Sequence, residues 1–223
     1  MKKIHTYYEP VSALDPENEL KLMLLWRERW EAVGFTPYVI SEWHAQQHPF
    51  YPQWDKYVRS LPSVNPEGYE RACWMRWLAL AQVGGGHMSD YDVIPYGDIT
   101  PFICTSEVGL IIYQHEPGHG ACPSLVHTNV DPVDWCKEVM ATKAGFRDQD
   151  GKPHASDMYA FEDLFGRGIP WLKSKDVVKL YTEDGWQTSK AVHYSNSTMT
   201  PAGKVPRYQH IPLLRPCTPN TNP

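Results

Sequence analysis

A helical run that stops at three consecutive glycines and restarts as a strand is the strongest constraint on what this chain can fold into. From Asn65-Pro66-Glu67 onward, Ala72, Met75, Ala79, Leu80 and Val83 recur near the helical period. Gly84-Gly85-Gly86 then ends the pattern, because glycine takes the left-handed backbone of a helix exit without strain. Met88 to Ile94 reads as the next strand, and it contains Asp90 and Asp92. Residues two apart on an extended backbone point the same way, so these carboxylates can aim at one point. Hard oxygen donors that converge suit Mg2+ or Mn2+.

The flanking segments place this unit in an α/β frame. Lys3 to Tyr8 reads as a first strand. Asp15-Pro16 supplies an N-cap and a first-turn proline for a helix that runs through Leu20, Leu22, Trp26 and Trp30 to Gly34. Pro37 to Ser41 reads as a second strand, and strand–helix–strand order favours parallel pairing. Downstream, His48 to Leu61 is aromatic and partly helical, and Val108 to Tyr113 is a strand. Gly118 to Pro123 is a turn-rich loop, and Asp131 to Ala144 is a helix capped by Asp131. Ser156-Asp157 opens a short helix reaching about Phe165, and Val177 to Tyr181 and Ala191 to Tyr194 are later strands. The expectation is a single α/β domain over residues 1–216, with a mixed, mostly parallel sheet flanked by helices. Residues 217–223 are expected to form a loose tail.

Composition narrows the function classes. A net charge of −5 and the lack of any Lys/Arg run argue against broad nucleic-acid binding. The five cysteines are odd in number and form no CxxC pair. With no secretory leader read in the sequence, they suggest reduced thiols in the cytoplasm. No apolar run approaches the roughly 20 residues of a membrane span. The nine Trp and thirteen Tyr suit core packing, and some of the rings suit a sugar-binding cleft.

The run Arg76-Trp77-Leu78-Ala79-Leu80-Ala81-Gln82-Val83-Gly84-Gly85, followed by Asp90-Tyr91-Asp92-Val93, resembles the DxD region of GT-A glycosyltransferases. It is most similar to the sugar-binding DxD group, in which an Arg-bearing helix leads through Gly-Gly into the acidic strand. Asn65 to Pro95 carries the specific part, and the order of elements agrees over residues 3–200. Gly86 makes the turn one residue longer than that pattern. The resemblance implies a GT-A-like fold, a nucleotide-sugar donor with UDP favoured, and a glycan or other hydroxyl acceptor. It also implies a metal, Mn2+ or Mg2+, held by Asp90, Asp92 and a C-terminal histidine, here His193. Such a cation acts as a Lewis acid on the departing diphosphate. Small viral and bacterial enzymes of this class build surface glycans, a setting suggested by analogy alone.

The same resemblance assigns further roles. Arg76, Lys204 and Arg207 would meet the phosphates or sugar, and Thr6, Tyr7, Tyr8, Glu9 and Tyr91 would line the nucleotide-sugar site. Ser41 to His44 is a weaker candidate for that pocket, while Glu116 to Ser124 and His127 to Asp131 would face the acceptor. Inverting members place an acidic residue at a helix start, as the base that deprotonates the acceptor. Asp157 matches by position, with Asp163 as the alternative. Read from the residues alone, Asp157 is equally a helix cap, Arg76 a surface arginine and His193 a packed histidine.

Two other classes compete. His115-Glu116-Pro117-Gly118-His119 spells the HExxH of zinc proteases, which works only on a continuous helix. Pro117 costs a helix interior about 3 kcal/mol and Gly118 roughly 1 kcal/mol, which weighs against a protease. A non-catalytic carbohydrate-binding protein would explain the aromatic residues, but not Asp90 and Asp92 with the later His193.

Overall fold

The structure, a computed structural model, describes residues 2–11, 15–104, 106–116, 120–142, 151–181, 189–195 and 207–211. Strand β1 (Lys2–Tyr7) leads through helix α1 (Pro16–Ala32) to β2 (Phe35–Ile40), and the two strands pair in parallel. The Asp15 carboxylate accepts from the amides of Glu17 and Asn18, which satisfies the first turn of α1. Gly34 follows the helix with φ of 88°, in the left-handed region. Pro37 costs the sheet little because β2 is an edge strand.

Short helices α2 (Glu42–Gln46) and α3 (Tyr51–Val58) then precede the long α4 (Glu67–Gln82). Strand β3 (Gly86–Ser89) follows α4 and pairs in parallel with β1. A hairpin of β5 (Leu110–Glu116) and β6 (Gly120–Thr128) joins antiparallel to β3, and β7 (Leu172–Ser174) adds in parallel to β5. The sheet order is β2-β1-β3-β6-β5-β7, with three parallel and two antiparallel pairings. A second sheet sets β9 (Ala191–His193) between β4 (Val93–Pro95) and β8 (Val178–Leu180). The remaining helices are α5 (Thr100–Ile103), α6 (Pro132–Ala141), α7 (Asp157–Gly166) and α8 (Arg207–His210).

Alternation along the strands explains why both faces of the main sheet are covered. Leu110, Ile112 and Val126 join one buried cluster with Trp74, Trp77 and Leu78 of α4, Trp135 of α6 and Phe161 of α7. Ile111, Tyr113 and Leu125 join the other, with Leu22, Trp26 and Trp30 of α1. Adjacent residues on a strand feed opposite layers, and each fully buried large apolar side chain contributes about 1.5–3 kcal/mol.

The structure departs from the sequence reading in several elements. Met88 to Ile94 is not one strand: β3 ends at Ser89 and β4 begins at Val93 in the other sheet. The Gly118–Pro123 loop is largely strand, since β6 begins at Gly120. Pro123 fits because it lies where the β5–β6 register shifts, between the pairs Ile112–Val126 and Gln114–Cys122. Strand β7 and helix α5, at three and four residues, carry too little pattern to be read. The 217–223 tail lies outside the described residues. Among the described residues no helix is long and apolar enough to cross a membrane.

Candidate metal centre

The two aspartates meet through a turn rather than along a strand. The amide of Asp90 donates to the carbonyl of Ser124 on β6 at 2.7 Å, and the amide of Val93 donates back to the carbonyl of Asp90 at 3.0 Å. The chain thereby swings from the main sheet into the small one, so the convergence expected from an extended backbone arises by a different geometry. In the small sheet Val93 sits opposite His193, and the Tyr194 amide donates to the Asp92 carbonyl at 2.9 Å. One ligand atom each from Asp90, Asp92 and His193 lie within 4.8 Å of one another. Asp92 Oδ1 is 3.4 Å from His193 Nε2.

Two arginines grip the other sides of this cluster. Arg76, from α4, donates from Nη1 to Asp90 Oδ1 at 2.7 Å and from Nε to Asp157 Oδ2 at 3.1 Å. Trp77 Nε1 donates to the same Asp157 oxygen at 3.1 Å. Asp157 is the first residue of α7, Ser156 holds the cap position, and the Asp157 side chain is spent on α4 rather than on capping. Arg207, from α8, donates from Nη1 to Asp92 Oδ2 at 2.6 Å and from Nη2 to both oxygens of Glu19 at 2.7 Å. Tyr91 also donates its hydroxyl to Glu19, at 2.5 Å.

The charges do not balance. Among the described residues, Asp90, Asp92, Asp157 and Glu19 pair with two arginines, Arg76 and Arg207, which with a neutral His193 leaves a formal excess of two negative charges. Burial raises the pKa of both Asp90 and Asp92, opposed by Arg76 and Arg207 respectively. Asp92 Oδ1 is buried and, among the described residues, accepts no hydrogen bond. An orphaned carboxylate oxygen beside an imidazole, in a site short of two positive charges, suits one divalent cation. The donor set, two carboxylates and a nitrogen, is compatible with Mn2+ or Mg2+.

Other residues singled out by the sequence fall at varying distances from this centre. Tyr8 packs edge-on against Tyr91, their ring centroids 5.9 Å apart. Thr6 and Tyr7 are buried, and their hydroxyls find no hydrogen-bond partner among the described residues. Glu9 turns toward α2, where Oε1 accepts from the Glu42 amide at 2.6 Å. Arg71 pairs with Glu42 and Asp55, a structural role. Asp163 lies on α7 with Arg167 at 3.8 Å, and Lys204 falls outside the described residues. His115 and Glu116 are consecutive residues of β5, so the helix that HExxH zinc chemistry needs does not form there, and His119 lies outside the described residues.

Sequence reading missed three members of the site, Glu19, Trp77 and Gln114, and named Ser124 only as the end of the segment expected to face the acceptor. Gln114 Oε1 lies 2.9 Å from His193 Nδ1 and accepts from Ser124 Oγ at 2.5 Å. A glutamine within an apolar strand run was the available signal, since a buried amide must find partners.

Comparison with known proteins follows the same outline. Residues 1–103 match a family described as a domain of unknown function (DUF8765). No curated protein matches the chain. Among solved structures, the chain is similar to the crystal structure of a glycosyltransferase involved in the glycosylation of the major capsid of PBCV-1, at 15% identity and a TM-score of 0.56. The alignment covers 95% of this chain and 98% of that one, so the likeness extends over nearly the whole fold.

Proposed function

We propose that this protein is a metal-assisted glycosyltransferase that moves a sugar from a nucleotide diphosphate donor to a hydroxyl acceptor. One observation carries the reading: Asp90, Asp92 and His193 converge in a centre that, among the described residues, carries a formal excess of two negative charges. The fold shared with a glycosyltransferase supports it. Asp90, Asp92 and His193 would hold Mn2+ or Mg2+, and the bound ion would supply charge stabilisation for the departing diphosphate. In this proposal Arg76 fixes one oxygen of Asp90, and Arg207 fixes one of Asp92. Tyr8 and Tyr91 offer rings, and Thr6 and Tyr7 buried hydroxyls, on the nucleotide side. The catalytic domain would span residues 1–216, in a reducing, cytoplasm-like compartment that keeps Cys73, Cys104, Cys122 and Cys136 free.

Asp157 is assigned here to Arg76 rather than to the acceptor hydroxyl, because one of its oxygens already accepts from Arg76 and Trp77. Inversion at the anomeric carbon, with Asp157 as base, is the competing assignment. A retained anomeric configuration in the product, read by proton NMR, would exclude that assignment. The broader reading is tested by calorimetric titration of UDP and GDP with and without Mn2+. Metal-dependent binding of a nucleoside diphosphate is expected, with UDP favoured. Binding of free sugars without any metal-dependent nucleotide binding would favour a carbohydrate-binding protein instead.

A further inference from the structure

His193 meets two groups at one ring nitrogen, Gln114 Oε1 close by and Cys122 Sγ farther off at 3.9 Å, and the nearer one decides where the ring proton lies. Its Nδ1 faces Gln114 Oε1 at 2.9 Å, and that oxygen also accepts from Ser124 Oγ. Gln114 is 3% exposed and Ser124 is fully buried. An amide oxygen only accepts, so the proton of this contact belongs on Nδ1. The other nitrogen, Nε2, then presents its lone pair on the side of Asp92. The 3.4 Å separation from Asp92 Oδ1 agrees, because that oxygen accepts no hydrogen bond among the described residues.

We infer that Gln114, braced by Ser124, is a positioning residue that fixes the His193 tautomer and ring orientation so that Nε2 can ligate a divalent cation. The inference rests on the metal-centre reading above. Its physical basis is general: a ligating imidazole is oriented by an acceptor on its second nitrogen, and losing that acceptor weakens metal binding by about 10–100-fold. β5 and β6 supply the brace. Gln114 and Ser124 lie on the two arms of the hairpin, next to the register shift, and β9 carries His193 to them from the second sheet.

The test uses the full chain and two readouts. Long-range proton–nitrogen NMR of the imidazole, at mildly alkaline pH and without metal, reports the tautomer. Mn2+ alone, titrated by calorimetry, reports affinity. Wild-type His193 is expected as the Nδ1–H tautomer. Gln114→Glu, whose carboxylate accepts as the amide oxygen does and adds a negative charge, is expected to keep that tautomer and to bind Mn2+ at least as tightly. Gln114→Leu should shift the proton to Nε2 and weaken Mn2+ by about 10–100-fold, and Ser124→Ala should do so by less. Ser124→Ala stands in if the leucine variant fails to fold by circular dichroism. An Nε2–H wild type overturns the inference, as does unchanged Mn2+ affinity in the leucine variant, or in the alanine variant standing in for it. A wild type that shows the Nδ1–H tautomer but binds no Mn2+ overturns the metal centre as well.

Discussion

His193 and His87 are equally hidden, each 7% exposed, yet their surroundings differ in kind. His87 Nε2 lies 3.2 Å from the Ile103 carbonyl, and its ring packs against His127 at 4.3 Å. Burial and the neighbouring imidazole push its pKa down to about 4, so near neutral pH it is an uncharged core residue. His193 instead stands between an amide acceptor and an orphaned carboxylate oxygen. Burial therefore does not mark a histidine as functional. What its two nitrogens meet does.

The largest expected effect separates the two histidine environments directly. His193→Ala or Asp92→Asn should abolish measurable Mn2+ binding and cut turnover roughly a thousandfold, the scale of several kcal/mol of lost charge stabilisation. His127→Ala, next to His87, should leave Mn2+ binding within about threefold. Calorimetry and a nucleotide-sugar turnover assay check this. Equal losses at His127 and His193 would erase the distinction.

The next effect concerns what holds the metal side together. Asp157→Asn removes a charge from a buried pair and leaves Arg76 facing Asp90 alone. A loss of about 3–5 kcal/mol in unfolding free energy is expected, the usual cost of breaking a buried ion pair, and urea denaturation measures it. Unchanged stability with intact Mn2+ binding and no turnover would instead make Asp157 the base that deprotonates the acceptor.

How much of this could be read from the sequence depended on whether the cause was local. Asp15-Pro16 and Gly34 delimit α1, and Gly84 to Gly86 end α4, because caps and exits are written within a few residues. The break between β3 and β4 is not local. Met88 and Val93-Ile94 read as one apolar run, and the turn at Asp90 is imposed by the Ser124 carbonyl across the sheet. At the site, the acidic pair stands out because its members are two residues apart. Gln114 and Glu19 do not, because their partners His193 and Arg207 lie 79 and 188 residues away along the chain. Gly86 lengthens the turn between helix and strand by one residue. The fold absorbs it by starting β3 at Gly86, and Arg76 still reaches Asp90.

A smaller effect, on stability, should appear at the His87 side as pH falls. The unfolded imidazole takes its proton near pH 6.5 and the folded one only near pH 4. The unfolded chain therefore binds more protons in between, and native stability drops as pH is lowered through that window. The contribution is complete above pH 6.5, and about 3 kcal/mol of it is gone by about pH 4. Urea denaturation of wild type and His87→Leu across this range checks it, with a flatter pH slope expected in the variant. Parallel slopes would mean that His87 is already charged in the fold.

The smallest effect probes the oxygen of Asp92 that does not face His193. Arg207 occupies it and is itself shared with Glu19. A guanidinium beside a proposed ligand repels an incoming cation, so Arg207→Gln should tighten Mn2+ severalfold, about 1 kcal/mol. The gain should shrink at high salt, since the Arg207 side chain is not fully shielded from solvent and screening acts on what remains exposed. Titrations at low and high ionic strength distinguish repulsion from geometry. If the variant binds Mn2+ more weakly at both, Arg207 holds the Asp92 carboxylate in shape, as Gln114 is proposed to hold His193. The metal centre would then be a braced site on both of its sides, and its affinity would be governed by preorganisation rather than by the balance of charge.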